Sequence, residues 1–393
     1  MSFRFAVDHA PVLSFGFRPF FFGGALWSAC AMPLWLALMT GHLTFATSYG
    51  AVAWHAHEFL FGYGGAIIAG FLLTAVPNWT GRLPVRGAPL LALFAVWLAG
   101  RAAMLATDLI GLVPAVLVEI VFLPALAAVI IREIIAGRDR RNLKVAAIVV
   151  ILAAANVFYH FEVVYAGVAA YALRTAIAAI VCLIMLIGGR VTPSFTHNWL
   201  ARQQSERRPR PFGRYDGVAI AAGVLALALW VAGFDPRVTG LALVLAGLLH
   251  VVRLARWAGV SARREPLVLI LHTGYAFVPL GFVLVGAAVL WPSIVPANGA
   301  LHAWTTGAIG IMTLAVMTRA TLGHTGRPLT ASGATMAIYA AVIVAAVSRI
   351  VAPFFDAAAM SLLTVAAVAW TAAFAGFVAV YGPMLLMPRR AAR

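Results

Sequence analysis

The stretch LVLILHTGYAFVPLGFVLVGAAVL, residues 267–290, holds no Asp, Glu, Lys or Arg in 24 positions. A bilayer core about 30 Å thick needs roughly 20 apolar residues of helix to cross it. Hydrocarbon offers the backbone no partners, so such a stretch must be helical. Working outward, comparable blocks recur at Ala88–Gly100, Val145–Val157, Ala176–Ile187, Gly217–Val231 and Ala337–Val347. Once Gly, Ser and Thr are admitted, the expected spans are 16–40, 52–79, 88–106, 110–136, 143–166, 169–192, 215–232, 237–257, 265–290, 298–322, 332–352 and 357–386. The composition agrees, with 63% hydrophobic and 10% charged residues against about 25% charged in soluble domains. The expected fold is all-α: a polytopic transmembrane bundle of about twelve helices. Short connections make residues 1–393 one transmembrane domain. Residues 1–15 carry Arg4 and Asp8 but no apolar core with a small-residue cleavage site, so no cleavable signal peptide is expected.

A net charge of +16 could point to nucleic acid, but its distribution excludes that class. One set of loops and ends carries Arg4, Arg18, Arg82, Arg86, the 132–144, 190–214 and 253–264 segments, Arg319, Arg327 and the C-terminal arginines. These make 24 of the 28 Lys and Arg. The opposite face keeps Arg101, Arg174, Arg237 and Arg349. This is a positive-inside bias; it predicts both termini in the cytoplasm and basic loops on anionic head groups. Cys30 and Cys182 fall inside spans without metal-ligand spacing and read as small core residues.

Ionisable side chains inside spans are costly and are functional candidates by default. Of ten histidines, His42, His55, His57, His160 and His302 fall towards the outer ends of spans. His197, His250, His272 and His324 fall towards the inner ends, and His9 precedes the first span. His302 and His324 bracket one helix and stand about 33 Å apart by helical rise. His55, His57, His160 and His302, at one depth on three helices, form a candidate metal-ligand set.

An internal repeat at an offset of 245 aligns His57–Arg82 with His302–Arg327 without a gap. Within it, Gly62 and Gly65 match Gly307 and Gly310, and Thr80-Gly81-Arg82 matches Thr325-Gly326-Arg327. Two imidazoles at matched depth are what a bis-histidine b-type haem requires, so His57 and His302 are candidate axial ligands. The glycines would admit either a macrocycle or a neighbouring helix. Residues two apart on a helix point about 200° apart, so His55 and His57 face different neighbours. That suggests two adjacent centres, with His160 as partner of His55 and Asn156 one turn before it on the same face. Glu58 is the candidate acid–base group, orienting a histidine or carrying protons. Glu119 is a second intramembrane carboxylate, read as a proton carrier or a helix–helix hydrogen bond. Arg101, Arg174 and Arg349, basic on the face that avoids basic residues, are candidate partners for haem propionates.

At these residues the sequence resembles the NnrS family, membrane proteins containing haem and copper that are associated with the bacterial response to nitric oxide. The resemblance covers most of the chain. It runs through Phe17-Arg18-Pro19-Phe20-Phe21, Trp54-His55-Ala56-His57-Glu58, Phe61-Gly62, Pro77-Asn78-Trp79-Thr80-Gly81-Arg82, Gly188-Gly189-Arg190, Leu271-His272-Thr273-Gly274-Tyr275 and Leu301–Pro328. It departs at Phe59, where methionine is expected, and at His197, where arginine is expected, so no thioether ligand is available at 59. The resemblance implies haem b, copper and nitric oxide, where spacing alone implies only metal. It implies a multi-pass protein of the bacterial inner membrane that binds or turns over nitric oxide, with membrane lipids and a quinol-type electron donor as further partners. Twelve spans with a positive-inside bias fit a non-catalytic transporter or metal-trafficking protein equally well.

Overall fold

The computed structural model describes residues 10–45 and 47–389; Arg4, His9, Arg390 and Arg393 lie outside the described residues. Among the described residues, twelve helices are long and apolar enough to cross a membrane. They are α1 (Phe17–Met39), α2 (Gly50–Thr80), α3 (Ala88–Leu105), α4 (Leu112–Ala136), α5 (Arg140–Ala166) and α6 (Tyr171–Arg202), followed by α7 (Arg214–Ala232), α8 (Pro236–Ala255), α9 (Pro266–Leu290), α10 (Ala297–His324), α11 (Gly333–Phe354) and α12 (Asp356–Leu386). Among the described residues there is no strand. The chain is therefore a multi-pass helical membrane protein. Its span ends agree with the hydropathy reading within three residues, apart from the end of α6. There the helix continues through the polar stretch 192–202, which hydropathy cannot recognise as helix.

Local signals start and stop the helices. Pro236 and Pro266 open α8 and α9, where a missing N–H costs nothing, and the Asp235 and Glu265 carboxylates accept the first free amides. The Ser332 hydroxyl accepts Thr335 N–H at the start of α11. Gly81, Gly167, Gly233 and Gly326 end helices with φ of +65° to +74°, a conformation costly for residues with a Cβ. Large apolar side chains remain on the outside: Leu241, Leu245, Leu248 and Val252 form one exposed stripe along α8. In a lipid-embedded helix that stripe meets acyl chains.

The chain forms two compact units. The first comprises the chain up to Ala179, Ala320–Pro328 and the chain from Phe374 on. Its core joins α1 to α2 through Phe17, Phe20, Phe21, Leu72 and Leu73, all buried. A side chain at Gly70 would collide with the Phe21 ring. The second comprises Ile180–Arg319 and Leu329–Ala373. There α8 and α9 pack closely because Gly240 and Gly286 face each other and Gly247 lies on the Pro279 carbonyl. Of the two cysteines, Cys182 is half-buried and Cys30 is exposed. Cys30 is thus not a core residue, a facing that its apolar neighbours on both sides could not reveal.

Among the described residues, three helices contain π segments: Glu58–Tyr63 in α2, Ile184–Gly188 in α6 and Ala303–Ile311 in α10. Such wide turns are rare and occur often at functional sites. The sequence repeat is also a backbone repeat. In both copies a π segment begins one residue after the histidine, at 58 and 303. Both copies end on a left-handed glycine, Gly81 at φ +70° and Gly326 at φ +72°. The preceding threonine in each bonds back one turn, Thr80 to the Val76 carbonyl at 2.8 Å and Thr325 to the Thr321 carbonyl at 2.6 Å. The matched glycines accommodate side chains: Gly62 faces Arg101, Gly65 faces Phe122 and Leu123, Gly307 faces Phe277, and Gly310 faces Trp370. Close packing therefore accounts for them, and nothing about them calls for a macrocycle.

Candidate metal centre

The chemistry of the first unit gathers around α2. His57 and Glu58 are consecutive, and the π turn lets both enter one interior. Arg101 comes from α3, Glu119 from α4, Asn156 and His160 from α5; all of these side chains are buried. The i, i+4 spacing of Asn156 and His160 sets both on one face of α5, as expected.

Arg101 organises the carboxylates. Its Nη1 donates to Glu58 Oε1 and its Nη2 to Glu119 Oε1, each at 2.6 Å. A methyl group at position 62 would overlap this guanidinium, so Gly62 makes the space that the ion pair fills. Arg101 is one of the residues expected at a haem propionate; here its two terminal nitrogens each bond an intramembrane carboxylate, which would otherwise be buried unpaired.

Both histidines are held at Nδ1 and converge at Nε2. His57 Nδ1 lies 2.9 Å from Glu58 Oε1, and His160 Nδ1 is hydrogen-bonded to the Tyr49 phenol. Glu119 Oε2 lies 2.9 Å from His160 Nε2 and 3.5 Å from His57 Nε2. The imidazole centroids are 4.8 Å apart. One ligand atom each from His57, Glu119 and His160 fits within 4.8 Å of the others, a set that could hold a metal ion. Burial, then the charge of Glu119, keeps the Tyr49 phenol above its ordinary pKa and therefore protonated.

Hydrogen-bond bookkeeping around His57 does not close for a neutral ring. Asn156 Nδ2 donates to Glu119 Oε2 at 2.8 Å, which turns Asn156 Oδ1 towards His57 Nε2 at 3.1 Å. His57 thus meets acceptors at both nitrogens, whereas neutral imidazole has one N–H. Formal charge points the same way. Two carboxylates against one guanidinium leave one negative charge, in surroundings where an unmatched charge is costly. A second proton on His57 or a bound cation satisfies both conditions.

The pairing of His55 with His160 is corrected. His55 does face away from His57, but it packs against Trp35 and Phe59 with centroids 4.3 and 4.6 Å away. His160 lies on the His57 side. The i, i+2 rule separates two faces and cannot say which one meets α5.

His302 belongs to the second unit, so the two repeat histidines fall in different units. It is half-buried, with Nδ1 2.7 Å from the Asn298 carbonyl oxygen. Arg349 Nη2 donates to Asn298 Oδ1 at 2.9 Å, so Asn298 joins His302 and Arg349, two of the residues expected around haem. Arg349 Nη1 is buried without a hydrogen-bond partner. Arg174 is half-buried near the start of α6.

Among the described residues the inner histidines form no common cluster. In the second unit, Arg253 donates to Asp216 at 3.2 Å and to the Tyr275 hydroxyl at 2.6 Å, and that hydroxyl lies 3.0 Å from His250 Nδ1. Here too a glycine next to a π segment makes room, since a Cβ on Gly189 would overlap the Arg253 guanidinium. His272 Nε2 is 2.8 Å from the Thr196 hydroxyl. His324 lies beside Phe15 and Phe17, and His197 is exposed. Sequence reasoning missed Tyr49 altogether, since it lies in a loop. It noted Glu119 without placing it among the ligands, and the signal was a carboxylate at the depth of two histidines.

Fold and site together define a polytopic helical membrane protein with a histidine–carboxylate cluster buried among its spans. The family model described as NnrS protein matches residues 11–389. The chain therefore belongs to the NnrS family. No match was found among curated proteins.

Proposed function

We propose that this chain is a bacterial inner-membrane protein that binds or turns over nitric oxide and protects against nitrosative stress, with copper held by His57, Glu119 and His160. The observation that carries the proposal is His57 Nε2, a buried ring nitrogen facing only acceptors beside a second imidazole and a carboxylate. Copper in its +1 state supplies the single positive charge that the cluster lacks, and imidazole is a suitable ligand for it. Bound there, it would supply a one-electron centre with affinity for nitric oxide. Nitric oxide is apolar and reaches intramembrane sites through lipid.

The chain's own residues do the positioning. Glu58 and Tyr49 hold the two Nδ1 atoms, the arrangement that orients ligating histidines in metal proteins. The phenol both donates and accepts, so His160 can shift its proton to Nδ1 when Nε2 takes a ligand. Arg101 pairs with both carboxylates. Glu58 Oε2, buried and unpaired, is the atom suited to take up a proton. For haem b, the set that fits is His302, with Nδ1 tied to a backbone carbonyl, and Arg349, with Nη1 open to a propionate. A quinol-type donor remains the proposed electron source.

Metal analysis with optical spectra of purified variants tests this. His57→Ala and His160→Ala should both lose copper, while His55→Ala keeps it. His302→Ala should lose or alter the haem spectrum and retain copper. Copper retained in His57→Ala and lost in His55→Ala, at equal expression, would sink the assignment. Colourless, metal-free wild-type protein would favour a transporter.

A further inference from the structure

The second unit contains a cavity of about 790 Å³ whose lining includes five arginines: Arg207, Arg208, Arg210, Arg256 and Arg263. Among the described residues, no carboxylate lines it. It lies where α8 ends and α9 begins, on the side that carries the basic loops. Three features show that it is built rather than left over between loops. Arg210 N–H donates to the Arg256 carbonyl at 3.0 Å and ties the loop after α6 to the end of α8. Ala258 adopts a left-handed φ of +55°, which costs a non-glycine residue about 1–2 kcal/mol. Gly259 lies so close to the His272 ring that a Cβ there would overlap it. The Arg256 guanidinium is 5.0 Å from the Tyr215 ring centroid, and its Nη2 is 3.6 Å from Asp216 Oδ2, behind the wall. Its Nε is buried without a partner.

We propose that this cavity binds the head group of an anionic phospholipid, with the acyl chains lying along α9. Asp216 offsets Arg256 in part, and it is shared with Arg253. The other four guanidinium groups meet no carboxylate in the lining. They call for an anion, and guanidinium is the side chain best matched to phosphate oxygens. A lipid rather than a free phosphate follows from the lining and from the depth. The wall continues onto the spans through Leu254, Leu269 and Ala276. The seven-residue separation of Leu269 and Ala276 extends it about 10 Å along the helix, and Leu269 is exposed to the surroundings. The arginines stand where the apolar spans end, which is head-group level. A single phosphate would leave most of the volume empty and would gain nothing from the apolar wall.

Native mass spectrometry of the full chain in uncharged detergent tests the proposal. Short-chain phosphatidylglycerol, short-chain phosphatidylcholine and inorganic phosphate are titrated separately. Saturable binding of phosphatidylglycerol in preference to phosphatidylcholine is expected. Each neutralised arginine should weaken it about fivefold, so the combined Arg207→Gln, Arg210→Gln and Arg263→Gln variant should bind about a hundredfold more weakly. A charge-matched control replaces Arg138, Arg140 and Arg141, which lie in another loop, by Gln and should bind as wild type does. Should the lining triple variant fail to fold, Arg263→Gln against its non-lining neighbour Arg264→Gln gives the same comparison at one charge. Equal loss in lining and control variants would overturn the proposal in favour of diffuse attraction. Equal occupancy by inorganic phosphate at the same concentration would overturn the lipid as occupant. None of these outcomes depends on the metal assigned to the first unit.

Discussion

Arg101 is the residue on which the buried cluster depends. Its two terminal nitrogens neutralise carboxylates from α2 and α4, and removing one partner of a buried ion pair typically costs about 3–5 kcal/mol. Arg101→Gln should lower thermal stability in detergent by that order and release copper; a variant that melts as wild type does would show that the pair is not structural. Gly62→Ala should reproduce the metal loss without touching a ligand, because the added methyl displaces the guanidinium. Tyr49→Phe removes only the hydrogen bond to His160 Nδ1. Loss of such an orienting bond weakens metal affinity about 10–100-fold, which a competitive chelator titration can read. Affinity unchanged within about twofold would remove Tyr49 from the site.

At the scale of the element, α2 and α10 are two solutions to one design. In each, a histidine is followed directly by a π segment, and the helix end carries a threonine and a left-handed glycine. Gly81→Ala and Gly326→Ala force a Cβ into that conformation and should each destabilise the protein by about 1 kcal/mol. The two effects should add, because the caps serve separate helices. Thermal denaturation of the two singles and the double checks this, and a neutral Gly326→Ala would show that the second copy does not need its cap. The repeat was legible in sequence as His57–Arg82 over His302–Arg327. Its meaning was not, since a pattern of residues does not distinguish a shared ligand from a shared backbone.

For the whole molecule, the charge distribution makes a topological prediction. Ser205 belongs to the basic loop after α6 and Ser48 to the loop before α2. Single cysteines at these positions, in a background lacking Cys30 and Cys182, should react oppositely with an impermeant thiol reagent on intact cells. Position 48 should label and position 205 should be protected; the reverse would invert the orientation and move the arginine cavity to the outer face.

Twelve spans, and all their ends but that of α6, were written in the sequence because crossing a bilayer is a local requirement. Each stretch must by itself be apolar enough and long enough, and several ends carry a proline, carboxylate or glycine of their own. His57, Glu58 and His160 were legible as candidates for the same reason, because an ionisable group inside an apolar block stands out one residue at a time. Which of them meet is not local. The i, i+2 spacing put His55 and His57 on different faces, but only the packing of α2 against α5 set His160 beside His57. Arg101 looked like a cation waiting for an external anion until α4 brought Glu119 to it. Lipid-facing and interior faces are both apolar, so hydropathy carries no information about helix neighbours. That choice is made by Gly62 under a guanidinium, Gly240 against Gly286 and the fit of rings, and it exists only in three dimensions.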